Sequence, residues 1–128
     1  MRYTSQEWIE AAGRALAGAP GLKEATVDLG LVLEQVVTRT PTGTVTWHVT
    51  IDHGTVTMTA GPAPAADVRF TTSYGTAARI AAGELGAQRA FAEGDLRVGG
   101  DLSLLVAHQR TLAGVDDALA AVRAETTY

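Results

Sequence analysis

Cysteine is absent, lysine occurs once (Lys23), and no basic run breaks the 128-residue sequence. Without cysteine there is no disulfide staple, no thiolate metal site and no cysteine nucleophile. Ten basic against fourteen acidic residues give a net charge of −4. A protein that tracks nucleic-acid phosphates needs a basic stripe to release counterions, so this balance argues against that class. Long apolar runs are also missing, and none approaches the ~20 residues that span a bilayer, so stable membrane insertion is not expected. Residues 1–18 carry Arg2, Glu7, Glu10 and Arg14, which interrupt any secretory leader. A cytoplasmic location is expected.

What is present suits a folded chain. Hydrophobic residues make up 46% and charged ones 19%, a balance unlike that of disordered chains. A chain of this length buries roughly two-thirds of its unfolded surface, enough for one core. One domain spanning residues 1–128 is expected.

The first segment reads as a helix. Thr4 and Glu7 have capping-box spacing, Trp8, Ala12 and Leu16 with Ile9 mark one apolar stripe, and Gly18, Pro20 and Gly21 end it. Residues 22–30 show no clean period. From Leu31 to Arg39 the period is two, and Pro41-Thr42-Gly43 turns the chain. Val45, Trp47, Val49 and Ile51 then alternate with Thr44, Thr46, His48 and Thr50. After the Asp52-His53-Gly54 turn, Val56, Met58 and Ala60 alternate with Thr55, Thr57 and Thr59. Gly61-Pro62-Ala63-Pro64 breaks the pattern, and Ala66–Thr72 carries Val68 and Phe70 as a fourth strand. Short links between consecutive strands predict an antiparallel meander, with a threonine face toward water.

Helical signals return at Ser73, which can cap Tyr74–Ala82 before Gly83, and at Ala87–Glu93 before Gly94. Asp95–Gly99 is short enough for a fifth strand, with Gly99-Gly100 turning the chain after it. Asp101 then caps a helix bearing Leu102, Leu104, Leu105, Val106 and Leu112, ending near Gly114. Asp116–Glu125 forms the last helix on Leu119 and Val122. The order α-ββββ-αα-β-αα predicts an α+β fold, with a five-stranded, mostly antiparallel sheet covered by helices on one face.

Catalytic signals are weak. His48 and His53 flank Asp52, an acid–base or metal pattern that Glu34 could complete in one strand register. The competing reading makes them ordinary surface residues of a hairpin, and His108 a half-exposed helix residue. Ser5, Ser73 and Ser103 sit at helix starts, and no nucleophile elbow occurs. Gly94 to Asp101 lacks both the Lys-Ser/Thr ending and the dinucleotide glycine spacing of a phosphate loop. No metal site and no cofactor are expected.

The second half carries more apolar surface than a five-stranded sheet face obviously needs. One explanation is a plain core, and the other is a cleft holding an apolar ligand. Residues 67–112 favour the second through a resemblance, while for each residue taken singly plain core stays the stronger reading. Asp67–Ser73 (DVRFTTS), Ala81–Leu85 (AAGEL), Ala90–Asp101 (AFAEGDLRVGGD) and the leucine-rich Leu102–Leu112 resemble the sterol carrier protein 2 sterol-binding family. The earlier half matches in element order, though not in specific residues. The resemblance is to a small stand-alone bacterial member. It implies an α+β fold enclosing a tunnel for fatty acyl chains, acyl-CoA or sterols, with no catalysis by the domain.

On that basis the expected cavity wall is Trp47, Val49, Met58, Phe70, Ile80, Phe91, Leu96, Leu102, Leu105 and Val106. Arg79, Arg89 or Arg97 could meet an anionic head group at the mouth, although a solvated surface role is the stronger reading for each. The partner is an apolar small molecule or lipid, with a homodimer or a partner enzyme left open. The alternatives are a small enzyme using His48, Asp52 and His53, or an assembly module whose apolar helix face meets another chain. The sequence ends Glu125-Thr126-Thr127-Tyr128, so the peroxisomal tripeptide of some relatives is not matched.

Overall fold

The computed structural model describes residues 1–128. Helix α1 (Gln6–Ala17) is followed by the short α2 (Leu22–Ala25) and four strands: β1 (Gly30–Thr40), β2 (Gly43–Asp52), β3 (Thr55–Ala60) and β4 (Val68–Ser73). Helices α3 (Tyr74–Ala81) and α4 (Ala87–Ala92) precede β5 (Leu96–Gly100), and α5 (Leu102–Ala107), α6 (Gln109–Ala118) and α7 (Ala120–Ala124) close the chain. The α+β class with five strands is as expected.

The strand order is β3-β2-β1-β4-β5. The meander therefore holds only through β3. β4 does not join β3 but runs parallel to β1, pairing Leu33 with Val68 and Gln35 with Phe70. Alternation fixes which face a side chain takes, and says nothing about which strand lies alongside. Placing β4 and β5 beyond β1 pairs both edges of the long central strand and leaves only short strands at the margins.

One face of the sheet is apolar. Leu31, Leu33, Gln35 and Val37 of β1 lie opposite Ile51, Val49, Trp47 and Val45 of β2. Val56 and Met58 of β3, Val68 and Phe70 of β4, and Leu96 and Val98 of β5 continue it by register. Helix α1 lays Trp8, Ile9, Ala12 and Leu16 on this inner face. Val37 and Val68 are fully buried in the resulting core.

The other face carries the threonines, and residues 61–67 cross it to link parallel strands. Gly61 N donates to Thr46 O at 2.8 Å and Asp67 N to Val32 O at 2.9 Å. Underneath sits Glu34, 2% exposed. Ala63 N donates to its Oε1 at 2.8 Å and Arg69 Nε to its Oε2. Burial pushes this carboxyl up, but the Ala63 amide, the Arg69 guanidinium and His48 outweigh it, leaving it below the ordinary range.

Local details also differ from expectation. Ser5, not Thr4, caps α1, with its Oγ accepting from Trp8 N at 3.1 Å; Thr4 takes a positive φ of 69° just outside the helix. Gly99 and Gly100 belong to β5, opposite Arg69 and Val68, instead of forming a turn after it. A Cβ on Gly100 would meet Asp67 O at 2.2 Å, so the bare backbone is a condition of that pairing. The helix expected from Asp101 to Gly114 breaks at His108, and Gly114 lies inside α6 instead of ending a helix.

Candidate functional site

Sheet and helices do not close completely. Between the inner face and helices α1, α3, α6 and α7 lies a groove of about 300 Å³, and 15 of its 19 lining residues are hydrophobic. The sheet forms its floor through Trp47, Val49, Met58, Phe70 and Leu96, while Ala77, Ile80 and Ala81 of α3 form one wall. Val115, Leu119 and Val122 form another. These positions share a face because strands alternate sides, and because α3 presents Ala77, Ile80 and Ala81 at three- to four-residue spacing.

One end of the groove is aromatic. Trp8 and Trp47 stand edge to face at 5.1 Å, and Tyr3 meets Trp8 at 4.8 Å and Tyr128 at 5.4 Å. Tyr74 adds a ring 5.9 Å from Tyr3. Both tryptophans and all three tyrosines of the chain belong to this cluster. Burial, then neighbouring Tyr128 and Tyr74, pushes the Tyr3 phenol far above its ordinary value. Burial also raises the Tyr128 phenol, against the opposing pull of Arg123 and Thr126. Both phenols stay neutral at physiological pH, so this end adds amphipathic surface without adding charge.

Four lining residues are polar: Gln35, Thr72, Asp116 and Arg123. Thr72 Oγ1 donates to Asp95 O at 2.9 Å. Arg123 Nη2 and Asp116 Oδ1 pair at 3.0 Å where the lining reaches solvent, the arginine one-third exposed and the aspartate two-thirds.

Six expected wall residues line the groove: Trp47, Val49, Met58, Phe70, Ile80 and Leu96. Phe91, Leu102, Leu105 and Val106 do not. Phe91 is 49% exposed because α4 turns Ala90, its neighbour, inward. Val106 is 70% and Leu102 44% exposed, and α5 buries no residue at all. Leu105 is half-buried outside the lining. The break at His108 turns α5 away from the groove and leaves its covering to α6 and α7.

The arginines expected at the mouth sit elsewhere. Arg97 projects from the opposite sheet face beside Arg69, Arg89 pairs with Glu93 on α4 at 2.9 Å, and Arg79 is exposed at the end of α3. Arg123 is the arginine that lines the groove. The histidines do not converge. His48 shares its Nδ1 with Gly61 O at 2.9 Å, while His53 pairs with Asp52 at 2.9 Å on the exposed hairpin. Asp52 lies four positions beyond His48 along β2, roughly 13 Å at strand rise. Glu34 is committed to Ala63 and Arg69. No group of three metal-ligating side chains is present, and no helix is long and apolar enough to cross a membrane.

This arrangement of groove, sheet and helices has relatives. The sequence profile of the SCP-2 sterol transfer family matches residues 12–113. The chain belongs to that family. No curated protein matches it. Among solved structures, this SCP-2 member superposes on a conserved hypothetical protein from Thermus thermophilus with a TM-score of 0.74 at 19% identity, over 95% of this chain and 90% of the other. A crystal structure of sterol carrier protein 2 gives 0.74 at 18% identity over 95% and 98%. Palmitated SCP2L2 from Aedes aegypti gives 0.62 at 23% over 86% and 94%. At these identities the likeness is one of fold.

The SCP-2 assignment matches what the sequence resemblance implied. Several lining residues had escaped sequence reading, among them Tyr3, Trp8, Gln35, Ala77, Arg123 and Tyr128. Gln35 had a readable signal, because it interrupts the apolar series Leu31, Leu33, Val37 on one strand face. Arg123 and Tyr128 had none, because their approach to the groove depends on the break between α6 and α7.

Proposed function

We propose that this SCP-2 family chain binds or carries an apolar ligand without catalysis, taking a fatty acyl chain, acyl-CoA or sterol-like lipid into the groove. The observation that carries the reading is the unfilled apolar space between sheet and helices. At about 300 Å³ it sits at the lower end of small-molecule sites, which run from about 300 to 1,000 Å³. Family membership supports the same reading, as does the palmitated state of the Aedes aegypti neighbour.

The energetics suit a carrier. Each methylene leaving water gains ~0.8 kcal/mol, so about ten buried methylenes gain roughly 8 kcal/mol gross. Association costs several kcal/mol of this, leaving affinity in the micromolar range or weaker. Such binding needs apolar walls and no exact polar constellation. A ligand held this weakly can also be released. The Arg123–Asp116 pair suits an anionic head group, since Arg123 could exchange Asp116 for a carboxylate or phosphate.

The test is binding of the fluorescent fatty acid cis-parinaric acid, followed by competition with palmitate, palmitoyl-CoA and cholesterol. Saturable binding, competition by at least one of the three, and a change in the emission of Trp8 and Trp47 are expected. A probe that never binds would refute the reading.

A further inference from the structure

Of the four non-aromatic polar residues that line the groove, Gln35 is the one whose side chain the protein leaves without a partner. Its strand neighbours across the sheet are Trp47 and Phe70, so the amide stands on the central strand between two aromatic side chains. Thr72 is bonded to Asp95 O, and Asp116 and Arg123 satisfy each other. No intramolecular hydrogen bond reaches the Gln35 side chain, yet no fully buried side-chain nitrogen or oxygen lacks a partner. Its amide must therefore open onto the groove.

That position has a consequence for what fills the space. A plain hydrocarbon laid over the floor would strip the amide of water and return nothing, an exchange that costs roughly tenfold or more in affinity. An oxygen-bearing ligand would not incur that loss. The amide offers two N–H donors and one carbonyl acceptor, and of the neutral oxygen groups other than a protonated carboxyl, a hydroxyl alone can both accept from the first and donate to the second. We infer that Gln35 is a specificity-determining residue which selects ligands carrying a hydroxyl on an otherwise apolar chain or ring. This rests on the lipid-binding reading above and narrows its ligand class. The hydroxyl could come from a hydroxylated fatty acid or from a sterol, and the recognising chemistry is the same.

Paired probes separate the sources. Displacement of cis-parinaric acid is measured with stearate against its 2-, 10- and 12-hydroxy derivatives, and with cholesterol against 5-cholestene, which lacks the hydroxyl. For the parent protein, at least one hydroxylated probe is expected to bind about tenfold more tightly than its deoxy counterpart. Among the hydroxystearates one position should be preferred, because the amide lies at a fixed depth. Gln35→Leu should bring the ratio close to one, through weaker binding of the hydroxylated probe and equal or tighter binding of the deoxy one. Gln35→Met, similar in length to glutamine, should do the same, and urea unfolding of both variants checks that they fold.

A parent protein that binds these lipids with no hydroxyl preference would overturn the assignment of Gln35 and leave the binding reading standing. So would a preference that survives both substitutions. Equal weakening of every probe would make Gln35 a structural residue only. Absence of binding by all probes would bring down both readings together.

Discussion

Glu34 and Arg69 face each other across the parallel β1–β4 pair, the arginine Nε donating to a carboxylate that also receives Ala63 N–H at 2.8 Å. This contact fastens the 61–67 connection to the sheet face opposite the groove. Arg69 is more than half exposed, so solvent screens the charge pair and the amide bond carries much of the contact's value. Glu34→Ala is expected to lower stability by about 1–3 kcal/mol in urea unfolding, with probe binding by the remaining folded protein unchanged.

The same carboxyl sets an acid dependence. Its folded-state value lies below the unfolded one of about 4.3, so its stabilising contribution is complete above that pH. The contribution is lost as pH falls through the folded value. The urea midpoint of the parent should drop on going from about pH 5 toward pH 3, and Glu34→Gln should flatten that drop. Parallel curves for parent and variant would contradict the assignment.

Gly100 and Gly99 are adjacent and should respond oppositely to alanine. Gly100 has a φ of 92° and no room beside Asp67 O, whereas a methyl on Gly99 meets nothing. Gly100→Ala should cost about 2–4 kcal/mol and loosen β5, visible as faster amide exchange at Leu96–Val98. Gly99→Ala should fall within about 0.5 kcal/mol of the parent.

At the start of α1 the cap is Ser5. Ser5→Ala should cost about 1 kcal/mol, measured by thermal or urea unfolding. Glu7→Ala, which would matter in a capping box, should cost only a few tenths because its share is limited to the helix dipole.

Ala87 lines the groove while being itself exposed. Ala87→Trp should therefore obstruct ligand uptake without crowding the core, weakening cis-parinaric acid about tenfold at nearly constant urea midpoint. Val106→Ser on α5 is the control. It should move neither quantity, since Val106 stands in solvent and lies outside the lining.

Much of this was legible from residue alternation. Trp47, Val49, Met58, Phe70 and Leu96 fall on the groove floor because strand parity leaves them no other face. Parity does not choose a neighbour, and β4 went beside β1 through contacts made by Ala63, Asp67 and Arg69 that no local pattern announces. Leu102, Leu105 and Val106 lie outside the groove lining for one reason. An apolar run reads as buried, but His108 leaves the helical course with φ −118° and ψ 29°, and of the segment before it only Leu104 packs against the buried core. Family likeness could not repair this, because leucine-rich segments are degenerate as motifs.

The parallel bridge between Arg2 and Thr127, with Tyr3 N donating to Thr127 O at 3.0 Å and Thr127 N to Met1 O, brings the two ends of the described chain side by side. Residues 1–128 thus come close to forming a ring. A short linker from residue 128 back to residue 1 would need little backbone movement, and new ends could be cut at the exposed Pro41–Gly43 turn, far from this clasp in the chain. Since Tyr3 and Tyr128 both border the groove, such a permuted molecule would hold that border shut, and its rate of cis-parinaric acid release would show whether the clasp is a doorway.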